Sequence, residues 1–287
     1  MLRILHLSDT HLMAPGGTHH GRDTTQRLQL VLGHFGRTAD VVVVTGDVSE
    51  DGSADSYESA RRLIGGFAAQ RSIPVMWCIG NHDQTSNFRR VLLPGLDSPT
   101  GKLDSVLDLG AWRVIGLDTH EPNLVGGRLS GDQLSWLTEQ LRGHDGPSVV
   151  ALHHPPVDPS SVIQAGIALA DPAALLDRCA RYRVRAVLGG HIHHQLLHSV
   201  VVGGYSLPVF TAPAVTHVVH HLAGREVYTA SRRSGLAYVE LAEDGGYRVA
   251  ADVVDEADEL FSYDTGTTAD AGASLAAHDA QVRRGFA

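Results

Sequence analysis

Four consecutive valines, Val41 to Val44, stand between Asp40 and the pair Gly46-Asp47. A β-branched run of this kind, bounded by turn formers, predicts a strand buried on both faces and therefore an α/β layered domain. The flanking pattern agrees. Residues 2–8 read as a first apolar strand, and Thr24 to Gly36 places Leu28, Val31, Leu32 and Phe35 at helical spacing behind a cap at Thr24 or Thr25. Ser56 to Gln70 predicts a second helix through Tyr57, Leu63, Ile64 and Phe67, and Ile73 to Ile79 a third strand. With right-handed crossovers this βαβαβ order makes the three strands parallel neighbours and puts Asp9, Asp47 and Asn81 along one edge.

Beyond a short helix at Asn87 to Leu93 the elements shorten. Strands are expected at Ser105 to Leu109 and Trp112 to Leu117, then a helix capped by Ser130 that ends at Arg142. Val149 to Leu152 is a further strand, Pro172 to Tyr182 a helix with proline in its first turn, and Ala186 to Leu188 a strand that stops on Gly189-Gly190. His198 to Val202, Leu207 to Thr211, Leu236 to Leu241 and Tyr247 to Val253 alternate and predict an antiparallel half that packs as a second sheet. Residues 264–287, rich in Gly, Ala and Thr, read as a tail with at most a short helix near Ala273 to Arg284.

A length of 287 residues suits one large α/β domain or two small ones. A net charge of -9, a single lysine at Lys102 and no basic block argue against a nucleic-acid binder held by phosphate neutralisation. Cys78 and Cys179 offer no disulfide framework, the chain starts almost directly on a strand, and no apolar run reaches membrane-spanning length. The expectation is a cytoplasmic protein without a membrane partner. The outlying statistic is 18 histidines, which points to metal or proton chemistry.

Five segments carry that chemistry, and each follows an apolar run: Asp9-Thr10-His11, Gly46-Asp47, Gly80-Asn81-His82-Asp83, His153-His154-Pro155-Pro156 and Gly190-His191-Ile192-His193. Asp9 and His11, two apart in an extended segment, are expected to leave the same face, and His191 and His193 repeat that spacing after two glycines suited to close backbone approach. Carboxylate, amide and imidazole together form a donor set for paired transition ions. Phosphate loops of the Gly-x-x-x-x-Gly-Lys and Gly-x-Gly-x-x-Gly types are missing, as is a nucleophile elbow.

In this order the five blocks resemble the calcineurin-like metallophosphoesterase superfamily over residues 7–193. Gly127-Arg128-Leu129-Ser130 with Gln133-Leu134-Ser135-Trp136-Leu137, and the His-His-Pro-Pro block, are similar to the bacterial class III cyclic nucleotide phosphodiesterases. The resemblance implies a four-layer α-β-β-α sandwich with two mixed sheets flanked by helices, the catalytic domain spanning residues 1–263. It implies two divalent or mixed-valence ions, Mn, Fe or Zn, with Asp9, His11 and His193 on one, Asn81, His153 and His191 on the other, and Asp47 between them. His153 is preferred to His154 because the family's ligand lies two residues before a proline.

His82 is then the histidine that reaches the phosphate and assists the leaving oxygen, oriented by Asp83, Glu50 or Asp51. The implied activity is hydrolysis of a small phosphodiester, a 3′,5′-cyclic nucleotide such as cAMP first, by a hydroxide bridging two cations roughly 3.5 to 4 Å apart. Alternatives are a glycerophosphodiesterase or a phosphomonoesterase of the same superfamily and, more remotely, a non-catalytic protein-binding member. Asn81, His82 and His217 are the candidate substrate contacts. Residues 213–233, with His217, His220, His221, Arg225, Tyr228, Arg232 and Arg233, are expected to border the site as a lid that holds phosphate and stacks a base, or to form a homodimer contact. His19 and His20 are placed at the mouth, His6 in the packing, and His34, His120, His144, His198 and His278 at surface or structural positions.

Overall fold

The valine run is strand β2, and the rest of the fold is built out from it. In the computed structural model the described residues are 1–159, 161–220, 222 and 224–254, with backbone alone for 259–264. Strand β1 (Leu2–Leu7) leads to helix α1 (Thr24–His34), β2 (Val41–Thr45) and α2 (Ala54–Ala60), which continues through a π-helical turn (Arg61–Gly65) into α3 (Gly66–Gln70). Next come β3 (Val75–Cys78), α4 (Thr85–Leu92), β4 (Ser105–Leu109), β5 (Trp112–Leu117), α5 (Gly131–Arg142), β6 (Ser148–Leu152), α6 (Val162–Gly166) and α7 (Ala173–Arg181). The last part holds β7 (Ala186–Gly189), β8 (Leu196–Val202), β9 (Tyr205–Thr211), β10 (Val218–Val219), β11 (Val227–Ser231), β12 (Gly235–Leu241), β13 (Tyr247–Val253) and β14 (Glu259–Asp264).

Two large mixed sheets result, ordered β13-β12-β1-β2-β3 and β4-β5-β6-β7-β9-β8, with a small β10-β11-β14 sheet beside them. Because side chains alternate along a strand, Val41 and Val43 face one way and Val42 and Val44 the other. Val41 and Val43 join Ile4, Met76 and Cys78 against Val114, Val149, Ala151 and Phe210 of the second sheet. Val42 and Val44 pack with Leu28, Tyr57, Ile64 and Phe88 from α1 to α4. On the far side Ile115, Val150 and Val209 meet Leu137, Leu141 and Leu175 from α5 and α7. The order of layers is α-β-β-α.

The antiparallel half is where expectation and structure part. Leu236 to Leu241 does not belong to the second sheet: β12 pairs with β1, Leu2 opposite Leu241 and His6 opposite Ala237, and β13 extends that edge. Only β8 and β9 go to the second sheet, where β9 lies parallel to β7. Alternation along a strand fixes which face is apolar but not which neighbour completes its hydrogen bonds, so the pattern left the sheet open. The cap of α1 is Asp23, whose carboxylate accepts from the Thr25 and Gln26 backbone N–H groups, while Thr24 is buried. Helix α6 and strands β10, β11 and β14 were not foreseen. His221, His278 and the expected helix near 273–284 lie outside the described residues. Among the described residues no helix is long and apolar enough to cross a membrane.

Candidate metal centre

All five chemical segments sit at the carboxyl ends of parallel strands, where α/β sheets open a crevice. Asp9 and His11 follow β1, Asp47 follows β2, Asn81 and His82 follow β3, His153 follows β6, and His191 and His193 follow β7. Facing sheets bring these ends together.

The local backbone is not extended as the two-residue spacing suggested. Asp9, His11, Asp47, His191 and His193 have φ of 53°, 43°, 48°, 68° and 58°, the left-handed region that non-glycine residues seldom occupy. Such conformations persist only where surroundings hold them. Here the loops after β1 and β2 are tied by Asp9 N–H to Gly46 O (3.1 Å), His11 N–H to Asp47 O (3.0 Å) and Leu12 N–H to Val48 O (2.9 Å). The His191 N–H closes the ring onto the Asp9 carboxylate at 3.1 Å from Oδ2. Gly46 has φ of 90°, and a Cβ there would press on the His153 ring. At Gly190 a Cβ would strike Ser8 Oγ.

The donor atoms fall into two groups that share one carboxylate. In the first, His193 Nε2 lies 3.3 Å from Asp9 Oδ1 and 3.3 Å from His11 Nε2. In the second, His153 Nε2 lies 3.0 Å from Asn81 Oδ1 and 3.2 Å from His191 Nδ1. Asp47 Oδ2 is 3.6 Å from His11 Nε2 and 3.3 Å from His153 Nε2, so it belongs to both. Each imidazole also has its other nitrogen engaged: His11 Nδ1 with Glu50 Oε2 (2.7 Å), His153 Nδ1 with Thr45 O (2.7 Å), His191 Nε2 with Ile167 O (2.9 Å) and His193 Nδ1 with His217 Nε2 (3.1 Å). Oxygen partners take the ring proton and turn the remaining lone pair inward, as in metal sites. Each group thus gathers imidazole, carboxylate or amide donors within 3.0 to 3.3 Å of one central imidazole nitrogen, a mixed oxygen and nitrogen set, so the residues present fit bound metal ions.

Burial alone would raise the Asp47 and Glu50 carboxyls; the facing imidazoles, led by His153 for Asp47 and His82 for Glu50, hold both well below the usual range. Burial would lower His153, yet Asp47 and Asp9 raise it to about 9 in the metal-free protein.

Of the neighbouring candidates, His154 has both nitrogens occupied elsewhere, Nδ1 by Thr119 Oγ1 (2.8 Å) and Nε2 by Val125 O (2.9 Å). His82 hangs from the site by its backbone N–H on Asp47 Oδ1 (2.9 Å), while its ring Nδ1 meets Glu50 Oε2 at 3.0 Å. Asp83 instead accepts from the backbone of Val48, Ser49 and Gly80 and from the Tyr57 hydroxyl. Asp51 holds Ala14 N–H and Ser53 N–H. Of the three carboxylates open in the sequence, Glu50 is the one touching His82. The Gly-Arg-Leu-Ser stretch turns out to brace the fold: Ser130 and Gln133 form a capping box, and Gln133 Nε2 donates to Asp104 Oδ1 and Asp118 O.

Residues 213–217 run along the same crevice, with Val215 and Thr216 N–H on Ser8 O and Asp9 O, and carry the buried His217 to His193. Tyr228 packs in an apolar cluster with Ile163, Val219 and Ala230, so its ring is not offered for base stacking. His6 is fully buried on Thr45 Oγ1 (2.9 Å).

Comparison with known proteins points to one family. The family model for calcineurin-like phosphoesterases matches residues 2–195. A probable cyclic nucleotide phosphodiesterase of Rhodococcus erythropolis is 38% identical over 196 residues, 67% of this chain and 64% of that protein. A 3′,5′-cyclic adenosine monophosphate phosphodiesterase of Pseudomonas aeruginosa is 34% identical over 269 residues, 91% of this chain and 93% of that one. The first match thus takes in just under two thirds of its relative, the second nearly all. A purple acid phosphatase from yellow lupin superposes with a TM-score of 0.60 at 13% identity, covering 91% of this chain and 53% of that chain, a likeness of fold alone. By the matched segment, the relatives and the α-β-β-α layers, the chain belongs to the calcineurin-like phosphoesterase family.

Proposed function

We propose that the chain is a metal-dependent phosphodiesterase that hydrolyses a small phosphodiester, a 3′,5′-cyclic nucleotide first. The observation that carries this is Asp47 Oδ2, shared between His11 Nε2 and His153 Nε2 at 3.6 and 3.3 Å. Asp9, His11 and His193 are assigned to one ion, Asn81, His153 and His191 to the other, and Asp47 to both. Manganese, iron and zinc all suit this oxygen and nitrogen set. Paired ions supply an acidified water and a clamp on the phosphoryl oxygens, which removes the need for a protein nucleophile.

The chain's own residues do the rest. Thr45 O, Ile167 O and Glu50 accept from one ring nitrogen each of His153, His191 and His11, which fixes the ring orientations and aims the second nitrogen into the site. Asn81 and His82 are the groups assigned to the substrate. When protonated on both nitrogens, His82 donates Nδ1–H to Glu50 and gives its second proton to the leaving oxygen, which becomes the free hydroxyl of the opened ring. His217 reaches His193 and acts one imidazole behind the substrate.

The cyclic nucleotide is favoured by the names of the relatives that cover 67% and 91% of this chain. A panel of cAMP, cGMP, 2′,3′-cyclic nucleotides, a glycerophosphodiester and a monoester, run on metal-stripped and reconstituted protein, tests the proposal. The expected outcome is turnover only after reconstitution, with the highest kcat/KM on a 3′,5′-cyclic nucleotide. Turnover by the stripped protein, or a monoester as the best substrate, overturns it.

A further inference from the structure

Three imidazoles outside the central donors converge from two distant parts of the chain. His19 and His20 lie in the loop after β1, His217 in the segment after β9, and one nitrogen from each lies within 4.8 Å of the others. Ring centroids are 4.3 Å apart for His19 and His20, 5.5 Å for His20 and His217 and 5.9 Å for His19 and His217.

The convergence is built into the backbone. His19 and Arg22 exchange two N–H to O=C hydrogen bonds of 3.0 Å, which closes a two-residue turn. Its central residues, His20 at φ 47° and Gly21 at φ 69°, are both left-handed, as a type I′ turn requires. Arg22 Nη1 then donates to Thr216 O at 3.0 Å, so the turn is fastened to the residue preceding His217. The N–H of Thr216 in turn bonds Asp9 O at 3.1 Å. His217 is buried and His20 exposed, which leaves one side open for an ion to enter.

Three neutral imidazoles with a fourth position open to water are a donor set for zinc and its neighbours, and a poor one for calcium or magnesium, which prefer oxygen. A tetrahedral zinc with Zn–N near 2.0–2.1 Å sets its nitrogens about 3.3 Å apart. Closure from within 4.8 Å to that spacing takes rotation of the exposed His20 ring together with a shift of the half-buried His19 ring toward His217. We propose that His19, His20 and His217 form a separate mononuclear site for a borderline transition ion, zinc first. An ion there ties the 19–22 turn to the 213–217 segment across the mouth of the crevice, and reaches the central cluster through the His217–His193 contact.

The test is zinc content per chain after loading in excess zinc and gel filtration, for wild type and His20→Asn. Asparagine adopts the same left-handed backbone, and His20 has no assigned part in the chemistry. The expected result is one zinc fewer in the variant, with unchanged circular dichroism and with central ions retained, as shown by their loss on His191→Ala instead. Equal zinc in wild type and His20→Asn overturns the site, whatever the total. Because the difference carries the test, it stands apart from the number of ions at the central cluster. Loss of all zinc in His20→Asn would place His20 in the central cluster and also overturns a separate site.

Discussion

Replacing Glu50 by glutamine removes one charge and almost no volume where three imidazoles meet. Glu50 Oε2 is 2.7 Å from His11 Nδ1 and 3.0 Å from His82 Nδ1, and Oε1 is 3.7 Å from His19 Nδ1. The carboxylate is nearly buried, and despite that burial His82 and His11 hold it well below the usual range, so it is anionic at working pH. A hydrogen bond to a charged group contributes about 1.5–3 kcal/mol and a neutral one about 0.5–1.5. Neutralising Glu50 across two such bonds therefore costs roughly 2–3 kcal/mol, or about thirtyfold to a hundred-and-fiftyfold. The cost divides by partner: the His11 share weakens one ion, and the His82 share lowers kcat even when metal is saturating. Steady-state kinetics at rising metal concentration, with metal content measured beside it, separates the two. Wild-type kcat at saturating metal in Glu50→Gln, or an equal loss in Asp51→Asn, refutes the assignment of Glu50 as the group that positions His82.

The remaining predictions concern other links. His82→Ala loses roughly a hundredfold to ten-thousandfold in turnover, the range of general acid catalysis, while metal analysis finds its ions in place. Tyr57→Phe leaves the Gln84 N–H and Asp83 without their 2.7 and 3.1 Å partner and lowers stability by about 1–3 kcal/mol, read as a drop in Tm at unchanged fold. Metal affinity of the stripped protein rises with pH: His153, which burial would lower but Asp47 raises to about 9, must release its proton to accept an ion. The proton competes below that value and not above it, so affinity climbs by about tenfold per pH unit up to there for one displaced proton. A competition titration that is flat between neutral pH and that point contradicts this reading.

The candidate site was legible because its donors lie where strands end. An apolar run that stops on Asp, Asn or His announces both the strand and the crevice, and Asp9, Asp47, Asn81, His153 and His191 all stand within three residues of such an end. What lay beyond the sequence was whatever depends on a distant partner. Leu236 to Leu241 was readable as a strand, but that its edge pairs with β1 follows from packing across the chain. The left-handed backbone at Asp9 and His11 replaced the expected extended pair, because hydrogen bonds from the neighbouring loop override local preference. Glu50, Asp51 and Asp83 are equivalent as letters; only the fold sends Asp83 to the backbone and Glu50 to two imidazoles. The oxygens of Thr45 and Ile167 that orient His153 and His191 carry no side-chain signal at all. The turn that aims His19 and His20 was visible only as glycine-bearing loop.

The account rests on Asp47 joining two cations, and electron paramagnetic resonance of manganese-loaded protein tests that directly. A carboxylate shared by two manganese ions couples their spins, so wild type should give the spectrum of a coupled pair together with turnover. Asp47→Ala should give isolated-ion signals and no measurable turnover. Isolated-ion signals from a fully active wild type, or a coupled pair with normal turnover in Asp47→Ala, contradicts the shared carboxylate and with it the assignment of the two donor groups.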